Sequence, residues 1–457
     1  MDSPPSSSVL RRFSRLRPVV DVFPGIGAGR TRAGLTRACL AGVALAVAGW
    51  SVPALGAEPA ADEPPSAPSE SLSDIQTGKA VVEPLATGVK CTADAADAAD
   101  AADASEPDAQ DCGGATDPEG GWSFIPFVLP AYQPETSFLL GGAAILSHQP
   151  PRGSGLRESQ LSFAGAASVR GQFTALFSPD LFLLDDRMHL GGTLSAARFP
   201  DTFYGVGADT PKALSEPYRA NIYELELSPR WQIVEGLYVG PSVRVQNVSV
   251  AEKEEGGLLD SALSEGTPIE GTDGGTTLQL GVSAFWDTRS STLYPTSGGI
   301  VRLNVRRALP ALGSDYEFDS LRLDARRYIT LPWRSRHILA LQGVLELRDG
   351  APPFYDLGRL GGAEIMRGYY EGRYRERQLY AVQAEYRAPL FWRFGGVVFA
   401  SLGGVAHDVD GNLFDHPHVG GGAGLRFAPI DDVPVNFRLD IAFGDPVAFY
   451  LNVGEAF

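Results

Sequence analysis

Residues 361–375 read Gly-Gly-Ala-Glu-Ile-Met-Arg-Gly-Tyr-Tyr-Glu-Gly-Arg-Tyr-Arg. This stretch lies between two long segments in which apolar and polar residues alternate, as they do in a β-strand with two different faces. After the stretch, one face carries Tyr380, Val382, Ala384, Tyr386, Ala388 and Leu390, and the other carries Gln383, Glu385 and Arg387. One face suits lipid and the other water. The pattern predicts a loop that a β-barrel folds back into its own lumen.

The same alternation continues along residues 122–457, for example over 278–286, 320–326, 339–348 and 435–443. The apolar face is continuous and the polar face carries charges of both signs, which favours a membrane barrel over a soluble sandwich. About fifteen segments have roughly the ten residues that a tilted membrane strand needs. Because bacterial single-chain barrels have even strand numbers, we predict an all-β, transmembrane antiparallel barrel of sixteen strands. The prolines within 122–130 predict a lead-in segment at the barrel mouth.

Four sequence motifs resemble those of one known family. The core Arg367-Gly368-Tyr369, preceded by Met366, is similar to the Arg-Gly-aromatic motif in the long sixth loop of the BamA/TamA-type outer-membrane assembly superfamily, also called the bacterial surface antigen barrel family. The other three similarities are the hairpin motif Asp287, Arg289, Pro295 and Gly298, the penultimate strands 422–426 and 437–442, and the aromatic C-terminal residue Phe457. The resemblance covers roughly residues 120–457 and also implies sixteen strands.

The inserted loop needs an acidic partner for Arg367, because a guanidinium taken from water into a confined space is costly unless it is paired. Glu385 is the first choice, since it lies on the inward face of the strand that follows the loop. The resemblance implies a second acid at the position of Ser401, where this chain has no carboxylate. Further candidates for a luminal network of mixed sign are Arg387, Arg438, Asp440, Arg322, Asp324, Arg302 and Glu346.

The chain shows no pattern of a catalytic, metal or nucleic-acid site. Nothing resembles a nucleophile elbow or a histidine-based triad, so we predict that the protein is not an enzyme and uses no cofactor. Residues 407–418 contain metal-ligand types, but their spacing fits neither a zinc site nor a calcium loop, and a surface loop is the better interpretation. The net charge of −17 argues against nucleic-acid binding.

The N-terminal part has the composition of an exported protein. An Arg-rich start precedes an apolar run from Ala38 to about Trp50, which predicts a signal peptide within 1–57. Residues 58–121 are rich in Ala, Pro, Ser, Asp and Glu and predict a disordered, acidic periplasmic tail. This tail has neither the length nor the apolar pattern for the periplasmic POTRA domains of the resembled family. Cys91 and Cys112 form either a local disulfide or remain free or intermolecular thiols.

Three functions remain open from the sequence. The first is insertion or translocation of polypeptide, or of lipid, through a laterally opening seam gated by the Arg367 loop, as the resemblance implies. The second is a passive pore or structural barrel, and the third is a barrel that acts with a separate periplasmic protein. The expected partners are outer-membrane lipid and unfolded outer-membrane or secreted polypeptides. The last strand is predicted to point Val447, Phe449, Leu451, Val453 and Phe457 outward, with Glu455 interrupting this apolar row near the end, and Gly454 is interpreted as a bend.

Overall fold

The computed structural model describes residues 120–151, 153–260, 269–291, 294–334, 336–409, 413–428 and 436–457. The predicted signal peptide, the tail up to residue 119, and Cys91 and Cys112 lie outside the described residues. In the described ranges, none of the helices has the length and apolar character needed to span a bilayer.

The described chain forms a closed antiparallel barrel of sixteen strands, as predicted, in which each barrel strand pairs with its neighbours in sequence. Strands β12 and β13 form a separate two-stranded sheet inside the longest loop. The strands are β1 (Gly121–Gln133), β2 (Ser137–Gln149), β3 (Ser159–Ser168), β4 (Phe173–Leu183), β5 (Met188–Phe203), β6 (Glu216–Val234), β7 (Leu237–Ala251), β8 (Gly274–Asp287), β9 (Gly298–Ala308), β10 (Phe318–Thr330), β11 (Ile338–Gly350), β12 (Gly358–Leu360), β13 (Tyr374–Glu376), β14 (Gln378–Phe391), β15 (Phe394–Ala406), β16 (His418–Phe427), β17 (Phe437–Phe443) and β18 (Ala448–Val453). Short 3₁₀ helices cover Lys212–Leu214, Pro310–Leu312 and Phe354–Asp356.

The even strand number places both ends of the barrel at one rim, which we call the terminal rim. The opposite rim, the loop rim, carries the longer connections, including residues 204–215, 252–273 and 351–377. The last of these is the loop that contains Arg367, and we call it the inserted loop.

The two faces of the strands differ as the alternation predicts. On β8, Val282 is exposed on the outside, while Gln279 and Ser283 are buried in the lumen. On β17, Leu439 is exposed and Asp440 is fully buried. Val435, at the start of the predicted segment 435–443, lies outside the described residues. Outward apolar and inward polar side chains are what a barrel wall between lipid and water requires.

Residues 122–130 are not a lead-in segment, as the prolines had predicted, but part of β1 in the wall. β1 pairs with β2 along its whole length. Its other edge faces β18, where Tyr132 and Leu451 are the single partnered pair among the described residues. Since proline cannot donate to a strand ladder, Pro126 and Pro130 suit a strand with one largely unpaired edge.

The prediction of an outward C-terminus was wrong for Phe457. Phe449 is exposed on the outside, but Val453 and Phe457 are buried. Strand β18 ends at Val453, and Gly454 has a φ of 83°, a left-handed backbone that glycine adopts without strain. The bend turns the last residues inward, where Phe457 packs with Tyr328, Ala340 and Ala456.

A charge on the outer face tests the register of the strands. Val282→Arg is expected to lower the free energy of unfolding by about 2–4 kcal/mol if the side chain meets the bilayer midplane. Val282→Leu, which keeps an apolar side chain, is the matched control. Urea unfolding of the protein in lipid vesicles measures both variants. Equal stability of the arginine and leucine variants would show that position 282 does not face lipid.

Candidate functional site

The inserted loop lies inside the barrel rather than over it. Met366, Arg367 and Arg375 are completely buried. The loop packs its apolar side chains against the inner wall in a cluster made of Val344, Leu360, Met366, Tyr369, Tyr374, Leu379, Ala381 and Val405. The short pair β12–β13 closes the base of the loop. This packing presents Arg367 to the charged inner face of the last five barrel strands.

Arg367 binds two carboxylates from different strands. Its Nη2 lies 2.5 Å from Glu385 Oε2 on β14, and its Nη1 lies 2.5 Å from Asp440 Oδ2 on β17. All three side chains are completely buried. The guanidinium also stacks on Phe399 of β15, with Cζ 3.5 Å from the ring centroid, a cation–π contact that gains strength where water is excluded. One loop residue therefore ties β14, β15 and β17 together.

The ion pair continues into a larger charged cluster on the same wall. Arg426 of β16 places Nη1 2.6 Å from Asp440 Oδ1 and Nε 2.7 Å from Glu455 Oε2. Arg387 places Nε 2.8 Å from Glu385 Oε1. With Arg438, whose Nε lies 3.6 Å from Asp440, four guanidinium groups face three carboxylates. A buried charge network of this kind is favourable only when its members are mutually paired.

Glycines make room for this cluster at two places. A Cβ on Gly424 would lie 2.0 Å from Asp440 Oδ1, so a side chain there would displace the carboxylate that binds Arg367. Gly368 has a φ of 101°, and its Cβ would lie 2.8 Å from the backbone of Phe443. Both positions need glycine, since Gly424 lies against the Asp440 carboxylate and Gly368 of the loop lies against the backbone at the end of β17.

The C-terminal residues, which turn into the lumen, also contact the charged cluster around Arg367. Glu455 contacts Arg426, and Arg387 Nη2 donates to the carbonyl oxygen of Phe457 over 2.7 Å. Sequence reasoning had noted Glu455 only as an interruption of an outward apolar row. Its luminal role depends on the bend at Gly454, which periodicity does not reveal.

Ser401, at the position where the resemblance implies an acid, takes no part in the ion pairs. Its hydroxyl is buried on β15 without a hydrogen-bond partner. Asp440, two strands further along, supplies the second carboxylate for Arg367. The missing charge at 401 is therefore replaced from another strand.

The remaining predicted residues lie in other parts of the lumen. Asp287 and Arg289 pair with each other at the terminal rim, with Nη2 2.7 Å from Oδ2. They line a cavity of about 90 Å³, as does Arg302. On β10 and β11, Arg322 contacts Glu346 over 2.5 Å, and Asp324 contacts Arg326 over 2.8 Å.

In the hairpin that joins β8 to β9, Gly298 has a φ of 83°. A Cβ on this residue would lie 1.9 Å from the Thr288 carbonyl oxygen. Pro295 lies in the same turn, between Ser291 and Ser297, and Thr296 beside it contacts Ser290. The hairpin motif thus shapes a turn and does not reach Arg367.

The outer half of the inserted loop makes contacts that the sequence did not predict. The Tyr370 hydroxyl donates to Asp201 Oδ1 over 3.0 Å, and the backbone N–H of Glu371 donates to Glu135 Oε1 over 2.8 Å. Arg375 stacks over Phe203 and Phe354. Glu135 and Asp201 are distant from the loop in sequence, and no local pattern marks them as partners.

In the part of the chain that the structure describes, no three His, Cys, Asp or Glu side chains are arranged to hold a metal ion. The arrangement around Arg367 is a set of buried, mutually paired charges. Its chemical capacity is to fix a loop, and to release the loop when one partner is lost.

The family follows from the comparison of the sequence with family models. Residues 160–457 match the Omp85 superfamily domain. The chain belongs to the Omp85 superfamily. No curated protein sequence gave a match.

The fold is similar to that of several solved structures. CdiB from Escherichia coli aligns with a TM-score of 0.50 at 14% identity, over 73% of this chain and 63% of that one. BamA from Haemophilus ducreyi lacking POTRA domains 1–3 aligns with a TM-score of 0.49 at 16% identity, over 73% and 70%. CdiB from Acinetobacter baumannii aligns with 0.46 at 11% identity, over 73% and 59%. The chain thus spans about three fifths of the two CdiB chains.

Loss of the guanidinium tests the anchoring of the loop. Arg367→Ala leaves Glu385 and Asp440 buried with one partner fewer, which is expected to cost about 3–5 kcal/mol. Limited proteolysis of the folded barrel should then cut within residues 361–375 much faster than in the unchanged protein.

The matched control is Ser401→Ala, which removes a buried hydroxyl that has no partner. This variant is expected to keep the loop as resistant as in the unchanged protein. Equal resistance of the Arg367→Ala loop would contradict the anchoring role, provided that the variant barrel remains heat-modifiable on a gel.

Proposed function

We propose that this Omp85 barrel inserts polypeptides into the outer membrane, or passes them across it, through its wall at the seam between β1 and β18. The role is not enzymatic and needs no cofactor. The observation that carries the proposal is the seam itself, where one residue pair joins the first and last strands in the part of the chain that the structure describes, while every other barrel boundary there has six or more partnered pairs.

The seam leaves most of the β1 edge without strand partners. β1 has thirteen residues and β18 has six, and their one pair, Tyr132 with Leu451, lies near the loop-rim end of β1. Unpaired backbone groups are costly in lipid, and an open strand edge is a template for another strand. An incoming polypeptide in extended form would satisfy these groups by adding a strand to β1.

The filled lumen supports passage through the wall rather than through the barrel centre. The inserted loop and the inward C-terminus occupy the side of β14–β18. Phe354 and Leu357 of the same loop reach the opposite side at the loop rim, where they pack in a buried apolar cluster with Phe203, Tyr218, Ile222, Val248 and Leu259. A passive pore would need an open path where these side chains pack.

The proposal places the terminal rim in the periplasm and the loop rim outside the cell. In this orientation the β1 edge below Tyr132 faces the periplasmic half of the membrane, where unfolded polypeptide arrives. The partners are then outer-membrane lipid, an unfolded outer-membrane or secreted polypeptide, and a separate periplasmic protein that delivers it.

A disulfide across the seam tests the proposal. Tyr132→Cys and Leu451→Cys place two thiols on directly opposed strand residues, whose spacing is compatible with a disulfide. The background carries serine at Cys39, Cys91 and Cys112. In lipid vesicles, the reduced barrel is expected to accelerate folding of a urea-unfolded eight-stranded outer-membrane barrel, used as the probe, and the oxidised barrel is not.

The matched control joins a wall that is already paired. Val382→Cys and Leu402→Cys lie opposite each other on β14 and β15, and both native side chains are exposed on the outer face. Oxidation of this pair should leave the folding rate of the probe unchanged. Equal acceleration by the oxidised and reduced seam variants would contradict passage through the seam.

A further inference from the structure

The inserted loop contacts both sides of the seam within four residues. On the side of the last strand, the Gly368 backbone N–H donates to the Tyr450 hydroxyl over 3.0 Å. The Asp445 N–H donates to the Gly368 carbonyl oxygen over 2.8 Å. Asp445 lies in the turn between β17 and β18, and Tyr450 lies in β18 and is completely buried. This end of the loop is held by the C-terminal hairpin.

On the side of the first strand, the loop is held by one carboxylate. The Glu371 N–H donates to Glu135 Oε1 over 2.8 Å, and Glu135 lies in the three-residue turn that joins β1 to β2. The turn itself is fixed, since the Glu135 carbonyl oxygen accepts from Gln172 Nε2 over 2.9 Å and from Arg170 Nη1 over 3.3 Å. Glu135 is 2% exposed.

We propose that residues 368–371 form a strap that holds β1 and β18 together at the loop rim, and that Glu135 is the residue through which β1 is released. The inference rests on the proposed function for its biological purpose and adds the regulation of the seam. The strap supplies, through loop contacts, the cohesion that one strand pair does not supply. Glu135 is a positioning residue, since it acts on the seam through the loop.

The surroundings of Glu135 make its contact sensitive to protonation. Burial, followed by the nearby Glu371 carboxylate, raises the pKa of Glu135 to about 7. Its second oxygen, Oε2, is buried without a hydrogen-bond partner. The other charged or titratable groups around it are Asp201 of β5, Arg170 of the turn between β3 and β4, Tyr204 and Tyr370 of the loops, and Tyr450 of β18.

The direction of the effect follows from the raised pKa. The folded protein binds this proton more tightly than the unfolded chain does, so the stabilisation is complete below the ordinary pKa of 4.5 and is lost progressively as the pH rises from there to about 7. A closed strap is therefore favoured below pH 7. Above it, a buried carboxylate beside Glu371 favours separation of the turn from the loop.

Hydrogen exchange of the whole barrel in lipid vesicles, followed by mass spectrometry, tests the strap without any substrate. Glu135→Ala removes the acceptor and is expected to raise exchange in residues 129–133 by about tenfold. Exchange in β10, Phe318–Thr330, is the internal reference and should not change. Tyr450→Phe removes the acceptor on the other side at nearly constant volume and should raise exchange in β18, whereas Tyr328→Phe on β10 should not.

The pH dependence of exchange distinguishes two roles for Glu135: a residue whose ionisation releases β1, or a residue that only supports the fold. Between pH 5 and 8, exchange of 129–133 relative to β10 is expected to rise in the unchanged protein, by up to about tenfold per pH unit until about pH 7, and to level off above that. Glu135→Gln keeps an oxygen acceptor without a charge, so its ratio should stay flat and low over the same range.

Unchanged exchange of β1 in Glu135→Ala would overturn the strap. A Glu135→Gln ratio that rises with pH as in the unchanged protein would overturn the release role. These outcomes do not depend on the proposed function, which fails separately if the seam disulfide leaves folding of the probe polypeptide unaffected.

Discussion

The contact between Arg367 and the two carboxylates of Glu385 and Asp440 is the interaction on which the rest of the site depends. A guanidinium with no water around it is stable only where opposite charges meet it. Both acids are completely buried and lie 2.5 Å from its terminal nitrogens. Because they come from β14 and β17, the loop is fixed to the wall on both sides of β15 and β16. The course of the neighbouring loop residues follows from this anchor.

The anchored loop connects two features of the barrel that otherwise conflict. Lipid requires that strand edges be paired, yet β1 and β18 share one pair. The loop passes the loop-rim end of this seam and hydrogen-bonds to both sides of it, at Tyr450 and at Glu135. The boundary between β1 and β18 can thus have few backbone hydrogen bonds without being free to open. The same loop fills part of the lumen, which supports the proposed route through the wall.

The sequence was sufficient for the fold and for the first partner of Arg367. Period-two alternation identifies the strands and assigns Glu385 to the inward face beside the loop. It also marks Asp440 as inward, but pairing across several strands depends on how the barrel closes, so Asp440 could be named only as a candidate. Ser401 illustrates the limit of resemblance, because the charge missing there is supplied from another strand.

Other features depend on the three-dimensional path of the chain rather than on local pattern. Phe457 points inward because Gly454 bends the backbone, and an alternation that is simply extended assigns it to the wrong face. β1 is a wall strand although it contains two prolines, since its second edge lies at the seam and needs few donors. Glu135 is a single acid in a short turn, and its partner Glu371 follows more than two hundred residues later in the chain.

The most direct test of the account is the ion conductance of the barrel in a planar lipid bilayer. A lumen filled by the anchored loop and the C-terminus predicts no steady current through the unchanged protein. It also predicts channel openings when Arg367→Ala frees the loop. A steady open-channel current through the unchanged protein, with no increase in the variant, would contradict a blocked lumen and, with it, the wall as the route for polypeptide.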